Sequence, residues 1–435
     1  MDPTTIGFLG LGVLLVLIAL RVPIGVSMIA VSIAGIYFAS GPRALWGTAG
    51  IIPYTFAATW TLSSIPMFLL MGYVAYHARL TQGLFDAARL WLSWLPGGLA
   101  IASVFGAAGF AAVTGSSVAC AAAMGRIAVP EMLRNRYDPG LAAGSLAAAG
   151  TLGPLIPPSI LLILYGIIAQ QPISPLFLGG IGAGVLTAVG YIVVIFVRVK
   201  LKPSLAPALD IVPTWQERLG ALRGTWPLIG LIVFVFGGMF AGYFTATEAG
   251  AVGSITSCAI ALMYRSLTWE RFKAAVFETL VATASLFIIG TGAALLTRFL
   301  AYSGSGAVMT DFILSFGASP LAIIIGITVI YLILGCFLEP IGAMLLTLPI
   351  VLPIVSGSGW NLIWFGVFVA KLLEIGMITP PVGMNVFVIK NVVGNLISTT
   401  AIFRGILWFL AADLVGVALL IAFPDIILFL PRTFG

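Results

Sequence analysis

Two apolar stretches of this chain interrupt themselves in a way that frees backbone oxygens. The first is Gly150-Thr151-Leu152-Gly153-Pro154-Leu155-Ile156-Pro157-Pro158-Ser159, with three prolines and two glycines. Each proline removes a backbone donor and opposes the preceding turn, so no continuous helix can form there. The second is Glu374-Ile375-Gly376-Met377-Ile378-Thr379-Pro380-Pro381-Val382-Gly383-Met384-Asn385, which adds a hydroxyl and an amide beside its own break. Carbonyls released by a break need partners, and at membrane depth a cation is a suitable one. Carbonyl, hydroxyl and carboxylate oxygens suit a hard cation such as sodium. A single proline reads more simply as a kink; this density, occurring twice, reads as an unwound binding segment.

A third stretch, Ala111-Ala112-Val113-Thr114-Gly115-Ser116-Ser117-Val118-Ala119, sets three hydroxyls and a glycine among small residues. It reads either as close helix packing or as the tip of a re-entrant hairpin. Phe337-Leu338-Glu339-Pro340 stands at the corresponding place of the second half, with another break and an acid, which favours the hairpin. Charges in apolar surroundings are costly and call for a reason. Lys371 and Glu374 stand three apart and are expected to pair on one helix face. Arg298 either meets an anionic substrate or snorkels from a helix end. Glu248, three residues after Thr245, reads as a helix cap. One histidine, His77, and three cysteines without ligand spacing leave no zinc or other transition-metal site, so His77 reads as a core or interfacial residue.

The elements that position these groups must lie in lipid. Of 435 residues, 61% are hydrophobic and 8% charged, against about 25% charged in soluble domains. Runs Ile6–Leu20, Val22–Ala39, Gly180–Val197, Trp226–Phe244, Ala249–Tyr264, Leu321–Phe337 and Ile406–Phe423 are expected to be membrane helices. None alternates as a barrel strand would. No base precedes Ile6–Leu20, so it reads as a retained first helix rather than a signal peptide, and Asp2 places the N-terminus outside. The basic stretch Arg198–Trp226 is expected to be a cytoplasmic linker. Arg265–Lys273 is expected to form an amphipathic interfacial helix. The net charge of +6 is scattered through short loops and points to topology, not nucleic acid.

The halves repeat. At an offset of 223, Pro130 matches Pro353, Tyr137 Trp360, Asp138 Asn361, Gly153 Gly376, and Pro157-Pro158 Pro380-Pro381. Leu99-Ala100-Ile101 recurs as Leu321-Ala322-Ile323, one residue out of step. Internal repeats with paired broken helices mark secondary transporters.

Together these motifs resemble a known family. Thr114-Gly115-Ser116-Ser117, Pro130-Glu131-Met132, Tyr137-Asp138 and Gly150 to Ser159 are similar to the first half of TRAP (tripartite ATP-independent periplasmic) transporter large membrane subunits of the DctM type. Thr245-Ala246-Thr247-Glu248-Ala249 resembles their central motif, with Ala246 in place of the usual proline; Leu346-Thr347-Leu348-Pro349 and Ile375 to Asn385 resemble the second half. The resemblance implies an all-α, elevator-type carrier with two inverted repeats and two re-entrant hairpins. On that reading 1–90 are scaffold helices of the first repeat, 91–197 a transport-domain half, 198–226 the linker, 227–315 scaffold and interfacial arm helices, and 316–435 the second transport-domain half. It implies sodium-coupled uptake of an organic acid across a bacterial inner membrane, with no ATP and no cofactor. Its partners would be a small four-helix membrane subunit, here expected as a separate chain, and a periplasmic substrate-binding protein. It further implies two sodium sites: Ser116 and Ser117 facing Gly153, Ile156 and Pro158, and Gly376, Thr379 and Pro381 near Glu339, where the family pattern has Asp. Thr114, Glu339, Asn385 and Arg298 are the substrate-side candidates.

An alternative is a proton-coupled carrier, or one independent of a binding protein, on the same architecture; the scarcity of titratable groups opposes a proton relay. An intramembrane enzyme would need a nucleophile with a base, or metal ligands, and no such set occurs in the sequence. A channel fits paired ion-binding breaks less well than alternating access does. The identity of the acid is left open among C4-dicarboxylates, sialic and other sugar acids, and sulfonates.

Overall fold

The computed structural model of the chain describes residues 2–207, 213–315 and 319–434; residues 208–212 of the expected linker 198–226 lie outside them. Every regular element among the described residues is helical. The first group is α1 (Pro3–Ala19), α2 (Ile24–Ala57), α3 (Ser64–His77) and α4 (Gln82–Leu92). The first hairpin, α5 (Gly98–Thr114) and α6 (Ser117–Arg134), leads to α7 (Pro139–Gly150), the break, α8 (Ile160–Ile168) and α9 (Ile173–Leu201). The middle of the chain forms α10 (Trp215–Leu222), α11 (Trp226–Phe240), α12 (Ala246–Met263), α13 (Trp269–Ser303) and α14 (Ser305–Ser315). The second hairpin, α15 (Pro320–Phe337) and α16 (Pro340–Gly357), leads to α17 (Leu362–Gly376), its break, α18 (Met384–Val393), α19 (Thr399–Ala422) and α20 (Asp425–Phe434).

All seven apolar runs fall on helices. Among the described residues, seven helices are long and apolar enough to cross a bilayer, or eight if α10 and α11 act as one bent span. Two features depart from expectation. Val22–Ala39 belongs to a 34-residue α2 that turns at Gly41 (φ +82°), ahead of Pro42. The stretch Arg265–Lys273 is not a separate interfacial helix. Arg265 closes α12 with positive φ, while Lys273 stands in the second turn of the 35-residue α13. At 1.5 Å per residue α13 is roughly 50 Å long, well beyond one bilayer core.

The repeat is carried by matched local interactions. Asp138 caps α7 by accepting the Leu141 N–H at 2.9 Å, and Asn361 caps α17 by accepting those of Ile363 and Trp364. The Tyr137 hydroxyl accepts the Leu99 N–H, and the Trp360 indole donates to the Pro320 carbonyl, so equivalent side chains tie each hairpin base to the helix that follows. Helices α6 and α16 are both 18 residues long, whereas α5 has 17 and α15 has 18. That extra residue accounts for the step between Leu99-Ala100-Ile101 and Leu321-Ala322-Ile323.

Each hairpin packs on its own following helix: α5 and α6 on α7, α15 and α16 on α17. Beyond the break the chain changes sides. Helix α8 packs against α16 and α17, and α18 against α6 and α7. Single hydrogen bonds hold the exchange: the Tyr165 hydroxyl donates to the Leu362 carbonyl at 2.6 Å, and Asn385 Nδ2 to the Ala147 carbonyl at 3.3 Å. The breaks therefore lie at the centre, where the halves interlock. Helices α1, α2, α3, α11, α12 and α13 pack chiefly among themselves, and meet this unit through α3, α13, α11 and the start of α2.

Candidate functional site

At the first tip, Gly115 has φ +58° and faces the Pro158 carbonyl oxygen so closely that a Cβ would collide with it. Glycine is thus required by conformation and by space together. Ser116 starts α6 and accepts the Ala119 N–H at 3.4 Å, a long cap. Ser117 follows, and its backbone lies against Gly153, where a Cβ would stand 2.8 Å from the Ser117 nitrogen. Pro158 is buried, and Ile156 reaches back to Gly184. Ser116, Ser117, Gly153 and Pro158 are therefore brought to one place, whereas the Ile156 side chain turns toward Gly184 on α9.

The second tip repeats the backbone and changes the chemistry. Glu339 starts α16 at the position equivalent to Ser116, and its Oε2 accepts the Gly342 N–H at 2.9 Å. Gly376 packs against the backbone of Gly335, so the close approach falls on α15 rather than on the residue after the tip. The Cys336 thiol contacts the Pro380 carbonyl at 3.7 Å, a neighbour hydropathy could not reveal. Thr379 donates to the Ile375 carbonyl at 2.6 Å, which uses its hydroxyl proton and leaves its lone pairs available. Thr379 is half-buried, and Pro380 and Pro381 are exposed.

A cavity of about 270 Å³ lies between the tips, bordered by Ser116, Ser117, Pro154, Glu339, Glu374 and Met377, with Tyr73 and Ser285 from α3 and α13. A second cavity of about 250 Å³ adjoins it, bordered by Thr114, Ser116, Tyr73, Tyr76 and Glu278. His77 forms a 3.2 Å contact with Glu278 there and is half-buried. A larger groove between α9 and α19, about 500 Å³, is almost wholly apolar and opens outward, which suits lipid rather than an anion. Asn385 is fully buried against α7, and Arg298 lies exposed on α13; neither borders the cavity between the tips.

The expected pairing of Lys371 with Glu374 does not occur. Lys371 reaches across to α19, where its Nζ donates to Asp413 Oδ1 at 2.5 Å. Asp413 Oδ2 accepts the Tyr191 hydroxyl at 2.8 Å, and that oxygen lies 2.9 Å from the Thr151 hydroxyl at the start of the first break. The chain Lys371–Asp413–Tyr191–Thr151 thus joins α17 to the opposite half's break through α19 and α9. A buried charge needs a charged partner, and a rigid helix brings Asp413 closer to the ammonium than the neighbour along α17. Glu374 is left at 0% exposure. Thr245 and Glu248 do form the expected cap, reciprocally, at 2.8 and 3.3 Å.

Residues 11–426 match the family model described as "Tripartite ATP-independent periplasmic transporter, DctM component". The C4-dicarboxylate TRAP transporter large permease protein DctM of Pseudomonas aeruginosa is 34% identical over 377 residues, covering 86% of this chain and 87% of that one. The sialic acid TRAP transporter large permease protein SiaM of Vibrio cholerae is 29% identical over 375 residues, with the same shares. Among solved structures, the Alcanivorax borkumensis YdaH transporter shares the fold, with a TM-score of 0.60 at 14% identity over 87% of this chain and 88% of that one.

Proposed function

The chain belongs to the DctM family of TRAP transporter large permeases, and from that premise we propose that it couples sodium entry to uptake of an organic acid across a bacterial inner membrane. Substrate arrives on a periplasmic binding protein, and a small four-helix membrane subunit, a separate chain, completes the carrier. The observation that carries this reading is the central cavity: Ser116 and Ser117 of the first tip, Glu339 of the second, and Pro154, Glu374 and Met377 of the breaks border it, and its serines and glutamates supply hard oxygens. Sodium at the first tip takes oxygens from Ser116, Ser117, Gly153, Ile156 and Pro158. At the second it takes them from Gly376, Thr379 and Pro381, near Glu339. Sodium bound at these positions would offset the buried carboxylates before an anion enters, which is a physical basis for coupling.

Helix polarity gives the substrate an orientation. The amide end of α16 already holds the Glu339 carboxylate, whereas that of α6 has only the long Ser116 cap. A substrate carboxylate therefore belongs at the α6 side, with Thr114 nearby. The matched relatives carry C4-dicarboxylates and sialic acid by name, and this chain is assigned an organic acid of that general class. The interlocked helices α5 to α9 and α15 to α19 move as one transport unit, as inverted repeats of an elevator, against the helices that pack among themselves. The test is uptake into proteoliposomes holding this chain, its small subunit and loaded binding protein. Accumulation under an inward sodium gradient, lost when sodium is replaced by choline, is the expected result. Uptake at full rate in choline, or without any binding protein, contradicts it.

A further inference from the structure

Helices α9 and α19 run antiparallel, since Arg198 meets Gly405 near one end and Gly190 faces Ala412 further along. They do not close on each other. Glycine stands at 190 and 416, and a Cβ at 416 would meet open space, so the groove of about 500 Å³ between them follows from missing side chains. Along α9 it extends from Arg198 to Leu186. That is roughly 18 Å of helix, close to the roughly 15 Å of hydrocarbon in one leaflet. Its floor carries Tyr191 and the buried Lys371–Asp413 pair. One end is cationic. The Arg198 guanidinium borders the groove and lies over the Trp408 ring, 5.5 Å from its centroid. Lys202 follows Arg198 by one turn and Arg404 precedes Trp408 by one turn, and both are exposed. Among the described residues none of the three forms a salt bridge. Asp138 acts electrostatically on Arg198 but is committed to capping α7. Topology alone asks for bases at this end of the bundle, but not at the mouth of a groove one leaflet long. Such a slot is complementary to a lipid with an anionic head and an apolar tail. A partner's membrane helix fits less well, being about 10 Å wide and crossing both leaflets.

We propose that this groove binds one anionic phospholipid from the leaflet on its basic side. Arg198 and Arg404 hold the phosphate, with Lys202 beside them, and an acyl chain lies between α9 and α19. The chain covers the Lys371–Asp413 pair and keeps water from it, which strengthens the pair by lowering the local dielectric. The inference does not depend on sodium coupling. Native mass spectrometry of the purified full chain, equilibrated in detergent with equal phosphatidylglycerol and phosphatidylcholine of the same chains, tests it. The unmodified chain should retain one phosphatidylglycerol in preference to phosphatidylcholine. Arg198→Gln combined with Arg404→Gln should weaken that retention about tenfold. Gly416→Leu fills the groove while keeping the charges, and should weaken it as much. Equal retention of the two lipids overturns the proposal. So does an unaltered preference in the arginine double variant, which keeps the test decisive should Gly416→Leu not fold. A preference kept in folded Gly416→Leu also overturns it, because the bases alone would then bind the head. Release of the phosphatidylglycerol on adding the small subunit would overturn it in favour of a helix-binding groove.

Discussion

Residues 151–159 and 374–382 occupy equivalent positions, yet the first break is buried everywhere except half-buried Ile156, while the second opens from Thr379 to Val382. The tips differ in the same sense. Ser116 offers a hydroxyl and a long cap; Glu339 offers a carboxylate already engaged by an N–H. The ion pair has no counterpart either, since Ala148 and Gly190 stand where the first half would need Lys371 and Asp413. Duplication has kept the backbone devices, namely caps, prolines and close glycine contacts, and has let the chemistry diverge. Under the proposed function, two sites built this way would hold an ion by similar backbone geometry but need not hold it equally tightly.

The largest test of that asymmetry is the ion pair. Lys371→Met leaves Asp413 buried and uncompensated, which should cost about 3–5 kcal/mol, read as a lowered melting temperature in detergent. Adding Asp413→Leu should recover much of it, because the apolar pair removes the stranded charge. Next come the packing glycines. Gly376→Ala drives a methyl into the Gly335 backbone and Gly153→Ala into that of Ser116. Overpacking costs about 1–3 kcal/mol, with Gly376→Ala the worse, because its clash is the closer; equal losses would mean the halves pack alike. Smaller still are the caps. Asn361→Ala, which releases two N–H groups, should lose more stability than Asp138→Ala, which releases one, both near about 1 kcal/mol. Ser116→Ala should scarcely move stability, since its cap is long, and should act on sodium instead.

Much of this architecture could be read from residue types. Prolines and glycines located both breaks, and Thr245 with Glu248 placed the cap of α12, because these signals are local. The spacing of 223 carried over to the caps, the tips and the paired prolines. What escaped depends on contacts far apart in sequence. Lys371 lies 42 residues from Asp413, so periodicity on α17 pointed to Glu374 instead. The exchange of α8 and α18 between halves has no local mark. The polar start of α13, with Glu270, Arg271 and Lys273, disguised a 35-residue helix as a short surface one. Asn385 looked like a substrate ligand because it follows a break, whereas its side chain turns toward α7.

The central claim is that both breaks bind sodium, each in its own half. The most direct measurement is the sodium dependence of uptake for Ser116→Ala and Thr379→Ala, assayed together with the unmodified carrier and with the double variant. Each single change is expected to raise half-saturating sodium about tenfold, and the double variant roughly in proportion to both, as independent sites require. Sodium dependence unchanged in both single variants would contradict the account.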